Sequence, residues 1–108
     1  MAKYETTLTG DLYEIRHKIK DGIINGSVSA SIEDCSDFET DGVKCSVMVF
    51  ERYSYMGGNR VSMNVTLFGK DGEVHVSAIT SGGSQAMFFK VNTFGEEAFL
   101  EKLIEILE

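Results

Sequence analysis

The sequence has little cysteine and no long apolar run, and both shortages restrict its class. Its two cysteines, Cys35 and Cys45, are too few for the disulfide framework of a small secreted domain. They flank a turn predicted near Asp41-Gly42, where one disulfide is conceivable, but a reducing compartment favours free thiols. No apolar stretch approaches the roughly 20 residues of a membrane-spanning helix. Because the amino terminus lacks the residue order of a secretory signal, we expect a cytoplasmic protein without a membrane partner.

Positive charge is also scarce, with 10 Lys and Arg against 17 Asp and Glu and a formal net charge of -7. Such an excess of carboxylates repels a phosphate backbone, whose contacts usually dominate nucleic-acid affinity. Tyr53, Tyr55 and Phe50 interleave with Arg52 and Arg60, as in platforms for single-stranded nucleic acid. The acidic balance argues against that alternative, and nucleic acid is a disfavoured partner.

The remaining composition is that of a globular protein: 43% hydrophobic and 25% charged residues over 108 positions. A chain of this size buries about 65% of its unfolded surface and forms a core without disulfides or metals. It contains no linker, repeat or low-complexity segment. We therefore predict a single domain spanning residues 1–108.

Two segments have the apolar spacing of amphipathic helices. The first runs from Leu12 to about Ile24, with Thr9 or Asp11 as its cap and Asn25-Gly26 as its stop, although Gly22 favours an earlier end at Asp21. The second begins at Thr93, which forms a capping box with Glu96, and continues to Glu108. Its apolar stripe is wide enough to form a main part of the core and consists of Phe99, Leu100, Leu103, Ile104, Ile106 and Leu107.

The other segments alternate as strands do. Residues 3–9 and 27–34 form two of them, and the stretch from Val43 to Asn92 supplies four more, of which the last, AMFFKVN, is apolar on both sides and ambiguous in register. Glycine-bearing turns separate the four at 56–59, 70–72 and 81–84. We predict that the buried face of the sheet consists of Val43, Cys45, Val47, Val49, Val61, Met63, Val65, Leu67, Val74, Val76 and Ala78.

These elements predict an α+β domain of order β-α-β-β-β-β-β-α, in which two helices cover one face of an antiparallel sheet of five to six strands. The order is similar to the helix-grip and TATA-binding-protein-like topologies, which host unrelated functions. The segments ERYSYMGGNRVSMNVTLFG, AITSGGSQAMFFK and NTFGEEAFL also resemble members of a small bacterial family described only as a domain of unknown function. That resemblance covers essentially the whole chain and implies no activity, ligand or catalytic residue.

Two glycine pairs are predicted to meet at one end of the sheet, because alternate turns of an antiparallel meander lie at the same end. Backbone amides and serine hydroxyls there, completed by an arginine, are predicted to form a pocket for a small anion. Hairpin turns with tyrosines over a sheet edge are the alternative, since neither GxxxxGK[ST] nor GxGxxG is present. The candidate ligand-binding residues are Tyr53, Tyr55, Gly57, Gly58, Arg60, Ser81, Gly82, Gly83, Ser84 and Gln85.

The second candidate site is the sheet face predicted to point away from the helices. It is polar but almost uncharged, whereas exposed sheets usually discourage association with lysines and other charges. We therefore predict a homodimer or another oligomer through this face, with an ordinary solvated surface as the alternative. The candidate interface residues are Ser29, Ser46, Met48, Phe50, Ser62, Asn64 and Thr66.

No catalytic or metal site is predicted. His17 and His75 fall on different layers, Cys45 is expected in the core, and neither the cysteines nor the histidines have the spacing of metal ligands. The sequence predicts no cofactor and favours a non-enzymatic cytosolic binding or protein-interaction module. The alternative is an enzyme or sensor for a small anionic metabolite bound at the double-glycine end.

Overall fold

The structure is a computed structural model that describes residues 2–27, 29–54, 59–82 and 89–108. Within these ranges, five strands and two helices form the α+β fold expected from the sequence. The elements, in chain order, are β1 (Ala2–Thr9), α1 (Leu12–Gly26), β2 (Ser31–Thr40), β3 (Val43–Ser54), β4 (Asn59–Lys70), β5 (Glu73–Gly82) and α2 (Phe89–Leu107). The sheet is antiparallel in the order β1-β5-β4-β3-β2, so β4 is its centre.

Asp11 caps α1 as predicted, because its Oδ2 accepts a hydrogen bond from the backbone N–H of Glu14 at 3.1 Å. The helix continues to Gly26 rather than ending at Asp21. Gly22 lies where α1 meets α2, and a Cβ there would come within 2.6 Å of Ile106 Cδ1. The glycine therefore lowers helix propensity but permits close packing of the two helices.

Two Asp-Gly pairs turn the chain between β2 and β3 and between β4 and β5. Asp41 and Gly42 have φ of 49° and 79°, and Asp71 and Gly72 have 55° and 79°. Two successive residues with positive φ are typical of the tight hairpin turn whose twist matches that of the flanking strands. Both turns lie at the end of the sheet opposite the double-glycine end, as the sequence predicts.

The core lies between the helices and the face of the sheet that they cover, which we call the covered face. β4, β5 and the two helices present the predicted side chains to it. The buried apolar residues are Leu12, Ile19, Ile23, Met48, Phe50, Val61, Met63, Val65, Leu67, Val74, Val76, Ala78, Phe99, Leu100 and Leu103.

The predicted orientation of β3 is wrong. Met48 is paired with Val65 and Phe50 with Met63, so these larger side chains point to the covered face and are 0% exposed. Ser46 is buried beside them and donates a hydrogen bond to Asp37 Oδ1 at 2.6 Å. Val43, Cys45, Val47 and Val49 consequently lie on the opposite face. Both sides of β3 carry apolar residues, and Lys44 and Ser46 lie on the covered side, so periodicity alone indicated the wrong one.

Two element boundaries also differ from the prediction. β2 begins at Ser31 rather than Ser27 and continues to Thr40, and its register with β3 shifts between Ile32 and Asp34. The run AMFFKVN is not a sixth strand where the structure describes it, because Phe89 to Asn92 form the start of α2. Residues 86–88 of that run lie outside the described residues. Thr93 is therefore inside the helix and does not cap it.

Candidate functional site

The face of the sheet opposite the helices, the open face, has an apolar centre. On β3 its half-buried residues are Val43, Cys45, Val47 and Val49. Phe38 of β2 and Phe68 of β4 lie on either side of Cys45 in the register and are 61% and 47% exposed. We call this group of six residues the open-face patch: Phe38, Val43, Cys45, Val47, Val49 and Phe68.

Three of the predicted interface residues lie on this face. Ser62, Asn64 and Thr66 are half-buried on β4 and point away from the core. Ser46, Met48 and Phe50, predicted beside them, are instead buried beneath the helices, so the surface exposure assumed for them is wrong. Ser29 lies in the connection before β2, where its Oγ accepts a hydrogen bond from the Tyr53 backbone N–H at 3.0 Å. The predicted surface exists, but β3 contributes its other set of side chains to it.

Charged groups surround the open-face patch in pairs. Arg60 Nε is 2.8 Å from Glu51 Oε1, and its Nη2 is 3.9 Å from Glu33 Oε2 and 3.3 Å from Ser31 Oγ. On the far side, Lys3 lies 3.9 Å from Glu5. Ser36, Val47, Thr66 and Ser77 form an uncharged row between these groups across four neighbouring strands. Burying the centre of the open face would therefore cost little electrostatic free energy, because the charged groups of this face lie at its margin.

At the double-glycine end, Tyr53, Arg60, Ser81 and Gly82 are described, whereas Tyr55, Gly57, Gly58, Gly83, Ser84 and Gln85 lie outside the described residues. Ser81 Oγ is 3.0 Å from Ser62 Oγ, and the Gly82 backbone N–H donates to Glu96 Oε1 at 3.1 Å. The guanidinium of Arg60 is engaged with carboxylates on the open face. Its charge is therefore already balanced within the chain, which makes Arg60 a poor centre for an anion pocket.

A different arginine at the same end, Arg52, forms no ion pair with the described carboxylates. Arg52 points to the covered face, where its Nη1 donates to Ser27 Oγ at 3.1 Å and its Cζ lies 4.8 Å from the centre of the Phe99 ring. Desolvation by burial lowers the pKa of Arg52 from its usual value. The sequence did not predict this contact, because the predicted orientation of β3 placed Arg52 on the face away from the helices. The register with β4, which pairs Arg52 with the buried Val61, identifies its true side.

The Asp-Gly turns border a shallow cavity of about 320 Å³ at the other end of the sheet. Gly10, Leu12, Lys44, Gly69 and Asp71 contribute to its lining. Lys44 Nζ lies 3.9 Å from Asp11 Oδ1 and 5.0 Å from the centre of the Tyr13 ring. These contacts engage Lys44, and Asp11 itself caps α1, so neither of these two groups is left for a ligand.

The histidines and cysteines form no catalytic arrangement in the described structure. His75 is exposed on the open face, where its Nδ1 lies 2.9 Å from Thr7 Oγ1, while His17 is exposed on α1 across the domain. Cys35 and Cys45 are free thiols that point to opposite faces of the sheet, so the conceivable disulfide is not formed and Cys45 is not in the core. Among the described residues, no three His, Cys, Asp or Glu side chains are grouped to hold a metal ion.

Comparison with known proteins identifies the chain at the level of its family. Within the described residues, no helix has the length and apolar character needed to cross a membrane. A search of curated proteins found no match. The model of a family of unknown function, DUF6054, matches residues 1–108, in agreement with the resemblance drawn from the sequence. The chain therefore belongs to this family of unknown function, DUF6054.

Proposed function

We propose that this protein is a non-enzymatic interaction module of the cytoplasm that forms a homodimer by packing two open faces together. The observation that supports this most directly is the open-face patch: apolar side chains on the uncovered side of a sheet whose other side is already covered. Phe38 and Phe68 are the most exposed of these side chains. Clustered apolar groups rimmed by polar ones are typical of protein interaction sites.

The size of the open face suits a dimer. Five strands about 4.8 Å apart, each about ten residues long at about 3.3 Å per residue, present roughly 800 Å². A standard protein interface buries about 800 Å² per partner. A dimer of this kind would use most of the face and leave its charged margin in contact with water, which is the usual arrangement of an apolar core within a polar rim.

The acidic edge strand β2 favours association through the face rather than pairing of two β2 strands. β2 is an edge strand, and its exposed side chains include Glu33, Asp34, Asp37 and Glu39. Two such acidic edges would repel each other, which is a common protection against edge-to-edge pairing. The open face lacks this protection at its centre. A second copy is therefore the partner that we propose, since its own uncharged centre can cover that of the first.

The chemistry of the open face disfavours the other partner classes. Two of its cations, Arg60 and Lys3, lie close to the carboxylates of Glu51 and Glu5, which compete with phosphates for them. An overall charge of -7 adds repulsion toward nucleic acids and anionic membrane surfaces. Cys35 and Cys45 are free thiols that point to opposite faces of the sheet. A protein without a disulfide between them does not require an oxidising compartment, which is consistent with cytoplasmic residence.

The alternative of an enzyme or sensor for an anionic metabolite, with Arg60 as the cation, has less support. Arg60 is bound to Glu51, and several of the residues proposed with it lie outside the described residues. This alternative remains a prediction from the sequence. It would require the ligand to compete with carboxylates of the same chain.

Val47→Lys tests the dimer directly. It places a charge at the centre of the open-face patch, so we expect a folded monomer by sedimentation velocity where the unaltered protein is a dimer. His17→Lys is the matched control because it introduces a lysine on the solvent side of α1, and it should remain dimeric at pH 8. Circular dichroism confirms that each variant is folded. A monomeric parent protein, or a folded Val47→Lys dimer, would refute the proposal.

A further inference from the structure

The guanidinium of Arg52 is the starting point for a second inference, because it is a partly buried charge without a counter-charge. It lies on the covered face near the end of β3, bonded to Ser27 Oγ and stacked on the ring of Phe99. Phe99 itself is 0% exposed, so one face of the guanidinium is shielded from water. Burial of a charge is costly unless an opposite charge compensates for it.

No described carboxylate lies within ion-pair distance of Arg52. Residues 1, 28, 54–59 and 83–94 contain neither Asp nor Glu, so the sequence offers no further side-chain carboxylate there. Glu96 also belongs to this end of the domain, but its carboxylate accepts a hydrogen bond from the Gly82 backbone N–H. An acidic chain with 17 carboxylates thus leaves this particular cation without one.

The other two arginines of the sequence show the contrast. Arg16 Nη2 lies 3.3 Å from Asp37 Oδ2, and Arg60 Nε lies 2.8 Å from Glu51 Oε1. Each is therefore engaged with a carboxylate of the same chain. Arg52 has no such carboxylate, and at a partly buried site a charge pair is screened less by water, so an anion is bound more strongly.

We infer that Arg52 and Ser27 form a binding site for the carboxylate or phosphate group of a small ligand. A guanidinium has five N–H donors arranged in a fork that matches two oxygens of such a group, and one of them is used by Ser27. The Ser27 hydroxyl accepts from Arg52 and retains its own hydrogen for the anion. The Phe99 ring fixes the plane of the fork.

This site is independent of the proposed dimer. Arg52 is on the covered face and the open-face patch is on the other side of the same strand. Failure of Val47→Lys to dissociate the protein would leave the anion site unaffected, and loss of anion binding would leave the dimer unaffected.

Titration with inorganic phosphate and with acetate, at ionic strength held constant with chloride, tests the site by amide and side-chain NMR. We expect saturable shifts of the Ser27 amide and the Arg52 Nε–H signal in the intact protein. Arg52→Gln should weaken binding by about tenfold or more, because it removes a charge-assisted bond. Arg60→Gln is the matched control and should bind as the parent does. A response to phosphate alone identifies a phosphate site, and a response to acetate alone a carboxylate site.

Two further variants keep the test decisive if Arg52→Gln is poorly folded. Arg52→Lys retains the charge but not the fork, and should bind with intermediate affinity. Ser27→Ala removes only the hydroxyl and should weaken binding less than Arg52→Gln does. The inference is overturned if neither anion gives saturable shifts at Ser27 and Arg52. It is equally overturned if these variants bind the anions as tightly as Arg60→Gln does.

Discussion

Along β3, neighbouring residues belong to two surfaces that share a backbone but differ in what covers them. Met48 and Phe50 face the helices and are completely buried, whereas Val47 and Val49 on the open face are only half-buried. Both sets are apolar, so the strand by itself does not distinguish an inside from an outside. The difference arises from α1 and α2, which pack on one face and not on the other.

Phe50→Ala and Phe68→Ala give the largest expected contrast between the two faces. Removing the fully buried ring of Phe50 should lower the free energy of unfolding by about 3–5 kcal/mol, because a cavity remains between sheet and helices. Phe68 is 47% exposed, so the same change there should cost about 1 kcal/mol or less. Urea denaturation measures the free energy of unfolding of both variants. A low protein concentration is used because any dimerisation then adds least to the measured stability. Equal losses would mean that the two faces are equally buried in the folded monomer.

Ser46→Ala compared with Ser62→Ala tests the polar contacts of the two faces. Ser46 is buried on the covered face and donates to the Asp37 carboxylate, so its loss should cost about 1–2 kcal/mol. Ser62 on the open face is 3.0 Å from another hydroxyl, Ser81 Oγ, and its loss should cost about 0.5 kcal/mol. Thermal and urea denaturation should rank the two in this order. The reverse ranking would contradict the assignment of Ser46 to the buried side.

Labelling of the two cysteines compares the accessibility of the two faces, and the substitutions that it needs should change the stability very little. Cys45 belongs to the open-face patch, while Cys35 is exposed on the edge strand β2 and points to the other side. In single-thiol variants, Cys35→Ser and Cys45→Ser, we expect maleimide labelling of Cys45 to slow as protein concentration rises, because self-association buries it. Labelling of Cys35 should not depend on concentration. Adding Val47→Lys should make the labelling rate of Cys45 independent of protein concentration. If labelling still slows with concentration in that variant, something other than the proposed dimer protects Cys45.

Local chemistry was sufficient to predict much of the fold. Asp11 has the side chain that accepts from a helix N-terminus, and the Asp41-Gly42 and Asp71-Gly72 pairs tolerate the positive φ that tight hairpins require. β4 alternates apolar and polar residues without exception from Val61 to Leu67, so its buried side was clear. Each of these signals depends on residues close together in sequence.

The sequence-based predictions were wrong where apolar residues occur on both sides of a segment. On β3, a shift of one residue exchanges the two faces, and both candidate faces contain apolar residues. The larger volumes of Met48 and Phe50 compared with the valines are a weak signal that they fill the deeper space beneath the helices. Residues Phe89 to Asn92 present the same ambiguity between strand and helix, and they became helix. The position of Arg52, and hence the inferred anion site, followed from the corrected orientation of β3.

The sequence by itself determined the element order, the turns, the capped first helix and the side chains with which β4 and β5 enter the core, because each is specified by nearby residues. Only the tertiary structure decided which side of β3 is covered, which arginine lies against Phe99 and which is neutralised by Glu51. These outcomes depend on strand register and on where the helices pack. Both are fixed by contacts between residues far apart in the chain, and alternation within β3, which has apolar residues on both sides, did not identify them.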